Sequence, residues 1–146
     1  MIHGDLQVEI MPCDDDIIRY DDIPRMTYRF GDRVVFFLNG RIHREDGPAI
    51  VWTSGSRAWY KKGLKHRLDG PAVDSSSGRK IWFYEGLYHR LDGPAIIDRY
   101  RQFWYQKGVL HRLDGPAVEY KSGPNKWYLN GIEYTEQEHK FFRELV

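Results

Sequence analysis

One seven-residue pattern occurs four times in this chain of 146 residues, and it constrains the fold more than any other feature. The copies read HREDGPA from His43 and HRLDGPA from His66, His89 and His111. Successive copies are offset by 23, 23 and 22 residues. Self-similarity at a fixed period of this length indicates stacked structural units that bury a continuous core between neighbours. The pattern therefore predicts a repeat array.

A second pattern alternates with the first: two aromatic residues, two variable residues and a glycine. Its five copies begin at Phe36, Trp59, Trp82, Trp104 and Trp127. In two copies the last residues are Asn39-Gly40 and Asn130-Gly131. Asn and Gly best tolerate the positive φ of a type I′ turn, so each copy predicts a strand that runs into a hairpin.

The Asp-Gly-Pro segment interrupts the strand that follows, because proline donates no ladder hydrogen bond and glycine permits a bulge. Further turns are predicted at Ser54-Gly55, Ser77-Gly78 and Ser122-Gly123. Each repeat is thus predicted to be one β-hairpin, or a hairpin with a short extension.

The N-terminal region differs from the array. Leu6–Ile10 alternates apolar and polar residues, which predicts a strand that ends at Met11-Pro12. Residues 18–29 resemble a degenerate copy of the repeat, as is expected of a terminal unit. Residues 1–24 carry seven acidic residues against Arg19, a net charge of −6, so the other 122 residues carry +7. A solvated acidic loop at Asp14–Asp16 is favoured over a segment that mimics a polyanion.

The C-terminal region changes period. Thr135 and Glu138 form the capping-box pattern of a helix start. Phe141, Phe142, Leu145 and Val146 then fall on one helical face. A short amphipathic helix in this position is predicted to cover the last edge of the array, since exposed edges invite aggregation.

The patterns together predict a mainly β fold. We expect a single-layer twisted antiparallel sheet of stacked β-hairpin repeats with a short C-terminal capping helix. Residues 1–25 form an N-terminal cap with the degenerate repeat, 26–134 the array with its period of 22–23 residues, and 135–146 the capping helix.

Composition narrows the class of protein. No apolar run reaches the roughly 20 residues of a membrane-spanning helix. A basic stretch followed by an apolar one is missing from the first residues, so no secretory signal is expected. Cys13 is the only cysteine, which excludes an internal disulfide and a cysteine-based metal site. A cytoplasmic location is expected.

The aromatic-aromatic-x-x-Gly-x-x-His pattern at this period resembles the MORN repeat family and its bacterial antitoxin-like relatives. The resemblance covers roughly residues 26–134. The HRxDGPA element is similar to a variant found in repeat proteins of bacteriophages and giant viruses. The resemblance implies a twisted sheet of β-hairpins that acts as a scaffold or binding module rather than as a catalyst. It departs from MORN repeats where His-Arg-x-Asp-Gly-Pro replaces a glycine-rich segment, so the lipid and partner roles of those proteins do not transfer.

The repetition of the motif within the chain favours a structural role over catalysis or metal binding. Equivalent residues of successive hairpins are expected two strands apart, about 9.5 Å, whereas zinc ligands lie about 2.0–2.1 Å from one ion. An enzyme needs one constellation placed once, whereas this one is repeated. The aspartate is expected to accept turn N–H groups, and the arginine to pair with it or with an acidic residue of the next repeat. The residues assigned this structural role are His43, Asp46, His66, Asp69, His89, Asp92, His111 and Asp114.

Two aromatic ladders are expected on opposite faces of the sheet, because neighbouring residues of a strand alternate. One contains Phe36 and the four tryptophans that begin the other copies, and the second contains the residues that follow them. One ladder must be core; the sheet either curls around the other or leaves it to line a binding groove. The candidate binding residues are Phe37, Tyr60, Phe83, Tyr105 and Tyr128, with Arg67, Arg90 and Arg112.

These patterns predict a non-catalytic binding module that docks on a protein partner. The resemblance to bacteriophage repeat proteins implies a phage-encoded inhibitor or counter-defence factor in a host cytoplasm. The alternative is a small-ligand protein that binds or sequesters a nucleotide, with an aromatic ring on the base and an arginine on the phosphate. A hydrolase and a nucleic-acid binder rank lower, the latter because the pI of about 7.9 lies below the value above 9 typical of such domains. No cofactor and no metal are expected.

Overall fold

The structure is a computed structural model that describes residues 7–10 and 26–146. These residues form antiparallel β-hairpins and one short helix, as the repeat pattern predicts. The acidic loop at Asp14–Asp16, Cys13 and the degenerate repeat up to residue 25 lie outside the described residues. None of the helices in the described part of the chain has the length and apolar character needed to cross a bilayer.

Eleven strands of the described residues form one antiparallel sheet, here called the main sheet. In pairing order its path is β1 (Gln7–Ile10), β2 (Met26–Phe30), β3 (Arg33–Leu38), β5 (Ile50–Trp52), β6 (Arg57–Ala58), β9 (Val73–Asp74), β10 (Lys80–Ile81), β13 (Ile96–Ile97), β14 (Arg101–Phe103) and β17 (Val118–Tyr120), and β4 (Arg41–Ile42) pairs with β3 beside it. The strand predicted at Leu6–Ile10 is therefore present as β1, paired with β2.

Four further hairpins, here called the upper hairpins, accompany the main sheet. They are β7–β8 (Tyr60–Lys61 and Leu64–Lys65), β11–β12 (Phe83–Tyr84 and Leu87–Tyr88), β15–β16 (Tyr105–Gln106 and Val109–Leu110) and β18–β19 (Trp127–Leu129 and Ile132–Tyr134). Backbone hydrogen bonds link one to the next: Gly86 donates to the Lys65 carbonyl at 2.9 Å, and Arg67 to the Phe83 carbonyl at 3.2 Å. The later repeats thus contribute both to the main sheet and to an upper hairpin, whereas the corresponding hairpin of the first copy, β3–β4, is part of the main sheet.

The upper hairpins turn through a residue pair with positive φ, as predicted for Asn39-Gly40 and Asn130-Gly131. Asn130 has φ 49° and Gly131 has φ 82°. The other repeats place Lys62, Glu85 and Lys107 at the same position with φ between 47° and 51°. These three residues tolerate the left-handed region poorly, so the fold must hold their turns by other contacts.

The core lies between the main sheet and the upper hairpins. Ile81 and Ile96 of the main sheet and Phe83 of an upper hairpin are buried together. Tyr88 closes the cluster, with its ring centroid 4.7 Å from that of Phe83 and 5.1 Å from that of Tyr105. The core therefore includes members of the ladder formed by the second aromatic residue of each copy, and Trp59 also packs against this cluster.

Helix α1 (Glu136–Phe142) begins at Thr135 with the predicted capping box. The Thr135 hydroxyl accepts the Glu138 N–H at 3.2 Å, and the Glu138 carboxylate accepts the Thr135 N–H at 2.8 Å. The helix packs on the β18–β19 hairpin through His139, which is fully buried and donates from Nε2 to the Arg112 carbonyl at 2.7 Å.

Only part of the apolar face expected of this helix packs against the rest of the protein. Phe142 packs its ring 5.2 Å from that of Tyr134. Phe141 remains 65% exposed, and Leu145 and Val146 are each 69% exposed. Leu145 and Val146 do not share the helical face with the two phenylalanines, because the helix is seven residues long and ends before Leu145.

Candidate binding surface

Each motif arginine lies between an aromatic ring and a glycine. The Arg67 guanidinium carbon lies 3.9 Å above the Trp59 ring centroid. On its other side, a Cβ added to Gly70 would fall 2.9 Å from the same carbon. A side chain at this glycine would therefore force the guanidinium to shift from its place over the ring. The other copies repeat the arrangement with Arg44 on Phe36 at 4.1 Å, Arg90 on Trp82 at 4.0 Å and Arg112 on Trp104 at 3.9 Å.

The same arginine ties the loop together by hydrogen bonds. Arg67 Nε donates to the Asp69 carboxylate at 2.8 Å, and its Nη1 donates to the Pro71 carbonyl at 3.2 Å. Of the two partners expected for the arginine, the structure thus shows the aspartate of its own copy. The bond and the charge of Arg67 lower the pKa of Asp69. Arg90 and Arg112 lower the pKa values of Asp92 and Asp114 in the same way.

Each motif histidine holds the turn of the next upper hairpin. His66 Nδ1 accepts the backbone N–H of Glu85 at 3.1 Å, and His89 Nδ1 accepts that of Lys107 at 3.0 Å. The donors are the positive-φ residues of those turns. Because an accepting Nδ1 must be unprotonated, each ring takes part as the neutral imidazole or loses this bond. His43 and His111 accept from Lys62 at 2.8 Å and from Asn130 at 3.0 Å.

The first copy differs at the variable position of the motif, where Glu45 stands in place of leucine. Its Oε1 lies 2.9 Å from His43 Nε2. His43 is buried, whereas the ring of His66 is only half-buried. Among the described residues, no group of three or more His, Cys, Asp or Glu side chains is placed to hold a metal ion.

Three equivalent grooves separate successive motif loops, and we call them the tryptophan grooves. The indoles of Trp59, Trp82 and Trp104 line them in turn, and their volumes are about 550, 680 and 540 Å³. The loop of one copy forms one wall of each groove and the loop of the next copy forms the other. The grooves therefore repeat with the period of the array.

Exposed leucines separate neighbouring grooves. Leu68 lines both the Trp59 and the Trp82 groove and is 80% exposed. Leu91 lines both the Trp82 and the Trp104 groove and is 74% exposed. They project from loops in which the arginine bonds the aspartate and a carbonyl of the same loop. This surface combines apolar side chains with a fixed spacing.

The indole N–H groups at the grooves are unpaired. Within the described residues, no hydrogen bond involves Nε1 of Trp59, Trp82 or Trp104, and none of these nitrogens is buried. A tryptophan N–H that is not satisfied internally is available to an acceptor on a partner. Each groove thus offers a donor beside its apolar walls.

Cations outnumber acids on the array. Residues 26–134 hold 18 Lys and Arg against 11 Asp and Glu, a net charge of +7. The motif aspartates are neutralised by their arginines, as is Asp74, whose carboxylate lies 2.9 Å from Arg57 Nη2. Lys61, which lines the Trp59 groove, has no ion pair with any described residue. The residues that line the grooves carry no net positive charge, because acidic side chains match or outnumber the basic ones in each lining.

The second aromatic ladder, predicted as the binding set, is placed on the core side. Phe83 is 7% exposed, and Phe37, Tyr60 and Tyr105 pack against the two buried clusters. Burial raises the pKa of both Tyr60 and Tyr105. Tyr128 donates to Glu133 at 2.6 Å, a bond that raises the pKa of Tyr128 to about 12.

The arginines that were predicted to contact a phosphate are already bonded to other groups of the protein. Arg67, Arg90 and Arg112 each stack on a tryptophan, pair with an aspartate and donate to a carbonyl; Arg112 additionally contacts Glu119 at 2.7 Å. Sequence reasoning missed the leucines at the variable position. Their signal was present, since an apolar residue recurs there between charged neighbours in three of the four copies.

Comparison of this chain with known protein families, with curated proteins and with solved structures finds no match.

Proposed function

We propose that this chain is a non-catalytic, repeat-built binding module that docks on a protein partner along the tryptophan grooves. The observation that carries the proposal is the pair of leucines at 80% and 74% exposure, on loops in which the motif arginine is bonded to the motif aspartate. Exposure of leucine side chains to water is unfavourable in solvation free energy, and their burial in an interface is favourable.

A binding role also accounts for the chemistry of the motif. Its arginine, aspartate and histidine are each used in contacts that shape the loop or lock the next hairpin. The same arrangement occurs in every copy, as a repeated docking surface requires and a single reaction centre does not. The nucleotide alternative loses its support, because the arginines assigned to the phosphate already have three partners each.

The test is capture of a partner that depends on the grooves. Tagged wild-type protein and a Leu68→Ser, Leu91→Ser double variant are used to retain proteins from lysates, with bacterial hosts first because of the resemblance to bacteriophage repeats. Leu145→Ser is the matched control, since Leu145 is 69% exposed but lies beyond the helix end.

We expect the wild type and the control to retain the same partner in stoichiometric amounts and the double variant to lose it. The purified partner must then bind again in a two-component assay. Equal retention by all three proteins would contradict docking at the grooves, and elution of the pure chain as a leucine-dependent dimer would identify a second copy as the occupant.

A further inference from the structure

We propose that protonation of His139 releases helix α1 from the β18–β19 hairpin, so that mild acid uncovers the side of the last hairpin that the helix covers at neutral pH. This inference concerns a conformational change and goes beyond the docking function proposed above. Three features of the structure support it: the burial of the imidazole, its unpartnered nitrogen, and the absence of a free carboxylate beside it among the described residues.

The His139 side chain fastens α1 to the rest of the protein. It is fully buried, whereas Phe141 of the same helix is 65% exposed. Its Nε2 donates to the Arg112 carbonyl at 2.7 Å, and its ring centroid lies 5.0 Å from that of Trp127. One imidazole thus joins the helix both to the last hairpin and to the preceding motif loop, so docking of α1 depends on the state of this ring.

The second ring nitrogen of His139, Nδ1, is buried and has no hydrogen-bond partner among the described residues. Because Nε2 carries the proton that it donates to a carbonyl, Nδ1 carries none in the neutral ring. Protonation would add an N–H with no acceptor and a charge removed from water, both of which are unfavourable. Once the helix has left the hairpin, water solvates the imidazolium. Protonation therefore favours the undocked helix.

The carboxylates of the helix and of the hairpin under it are already engaged. On α1, Glu136 pairs with Lys140 at 2.9 Å, and Glu138 accepts the N–H of the N-cap residue. On β19, Glu133 lies 3.6 Å from Lys126 and also accepts the Tyr128 hydroxyl. No ion pair joins His139 to any carboxylate of the described residues. A proton on the ring is therefore not stabilised by an opposite charge from these elements.

The motif loop and the strand before it add cations to this side of the helix. Burial, and then His139, lower the pKa of His111, so the two imidazoles are close enough for their charges to repel. The carboxylate of Asp114 is held by Arg112 at 2.9 Å. Arg112, and more weakly Arg143 of the helix end, lower the pKa of Asp114. These neighbours oppose a positive charge on His139 and favour its release.

The direction of the pH effect follows from the proton balance. The undocked ring takes up a proton near the ordinary value of about 6.5, and the docked ring has no acceptor for the added N–H. Docking is therefore complete above that value and weakens as the pH falls below it. From pH 7.5 to pH 5.0 the ratio of undocked to docked helix is expected to rise about thirty-fold. Release uncovers Leu129, which is 3% exposed in the docked state, together with Trp127.

Nuclear magnetic resonance of the ¹⁵N-labelled full chain tests the proposal. Saturation-transfer spectra of the α1 N–H signals give the ratio of undocked to docked helix at pH 7.5 and 5.0. The N–H signals of β10 and β13, which pair within the main sheet, are expected to keep their native positions at both pH values. Imidazole ¹⁵N spectra report the proton on His139 directly and are expected to show only the Nε2–H form in the docked helix.

Two neutral replacements of His139 separate its charge from its packing. His139→Gln keeps a donor for the Arg112 carbonyl, and His139→Phe keeps a ring on Trp127. For each, the ratio of undocked to docked helix is expected to change less than about three-fold between the two pH values, since no group at this position titrates. If a variant has lost the docked helix at both pH values, the other variant and the wild-type imidazole spectra decide.

Two other histidines provide the controls. His89→Gln removes a half-buried motif histidine outside the helix contact and should leave the thirty-fold rise of the wild type intact. His111→Gln removes the like charge beside His139 and should reduce the rise without abolishing it. Complete loss of the rise in His111→Gln would make His111 the trigger and overturn the assignment to His139.

The remaining outcomes also decide the proposal. It is overturned if the ratio of undocked to docked helix does not rise in the wild type, or if it rises equally in both neutral variants. A docked helix with a doubly protonated His139 ring overturns it as well. So does loss of the β10 and β13 signals together with those of α1, because the whole chain would then unfold at once. None of these results bears on docking at the tryptophan grooves, which the lysate capture tests separately.

Discussion

His66 Nδ1 accepts a hydrogen bond at 3.1 Å from the backbone N–H of Glu85, a residue of the following repeat. Glu85 has φ 47°, a conformation that a side-chain-bearing residue adopts at a cost. The histidine therefore fixes a strained turn in its neighbour. Because the same bond recurs in every copy, the motif couples each repeat to the next as well as shaping its own loop.

Replacing a motif histidine should weaken this coupling. His89→Phe keeps an aromatic ring but removes the acceptor for the Lys107 N–H, and we expect a loss of about 1 kcal/mol in the free energy of unfolding. Urea denaturation followed by circular dichroism measures it. His89→Asn, whose side-chain oxygen can accept the same N–H, should recover part of the loss. An unchanged midpoint for His89→Phe would show that the bond does not stabilise the fold.

The glycine of the motif offers a test of the arginine sandwich. In Gly93→Ala the new Cβ would lie 2.8 Å from the Arg90 guanidinium carbon, so the side chain must leave the Trp82 ring. We expect destabilisation of about 1–3 kcal/mol, as for overpacking elsewhere. Gly31→Ala is the control, because a Cβ there meets no atom within 4 Å. Equal stability of the two variants would contradict the requirement for glycine.

Neighbouring aromatic residues should respond in opposite ways to truncation. Phe83 is buried at 7% exposure and Tyr84, the next residue, is 43% exposed on the other face. Phe83→Ala should cost about 3–5 kcal/mol in unfolding free energy, whereas Tyr84→Ala should cost less than about 1 kcal/mol. Thermal and urea denaturation of the pair measure the difference. A larger cost for Tyr84→Ala would place the core on the tryptophan face.

Stability should fall as the solution is acidified below neutrality. Burial, and then the nearby His139, lower the pKa of His111 in the folded chain. A lowered pKa means that the unfolded state binds the proton more readily, so this contribution is complete above the unfolded pKa of about 6.5 and declines as pH falls through that value. Urea midpoints at pH 7.5 and 5.5 should differ, and His111→Gln should show a smaller difference.

A second acid transition follows from the motif aspartates. Arg67 and Arg90 lower the pKa values of Asp69 and Asp92, so these contributions are present above the unfolded value of about 3.9 and are lost as pH falls below it. Asp92→Asn should remove part of this low-pH decline and leave the decline between pH 7.5 and 5.5 unchanged. If Asp92→Asn altered only the higher range, the pairing with Arg90 would not be its cause.

Much of the fold was readable from the residues because the signals are local. The Asn-Gly turns, the capping box at Thr135 and the alternation of β1 depend on a few adjacent residues, and each is present. The arginine and the aspartate of the motif are two positions apart, so their pairing could also be predicted from the sequence. Local patterns succeed because backbone sterics and short-range hydrogen bonds decide them.

The sequence could not predict which of the two aromatic ladders lies in the core. Phe83 and Trp82 are adjacent, both aromatic and both equally suited to a core, and the strand period says only that they face opposite ways. Which face closes depends on Tyr88 and the other upper-hairpin residues that pack back on the main sheet. The sequence also did not show which helix residue would be buried: His139 is fully buried, whereas Phe141 is exposed.

The sequence by itself determined that this protein is an array of β-hairpin units with a period of 22–23 residues, because each unit repeats the same turns and the same motif. Only the tertiary structure decided that the motif arginine lies between tryptophan and glycine, that the histidine reaches the next repeat, and that Leu68 and Leu91 remain in water. These contacts join residues that are well separated in the sequence or belong to neighbouring units; His66 and Glu85, for example, are 19 positions apart. They exist only once the curl of the sheet sets the distances between loops.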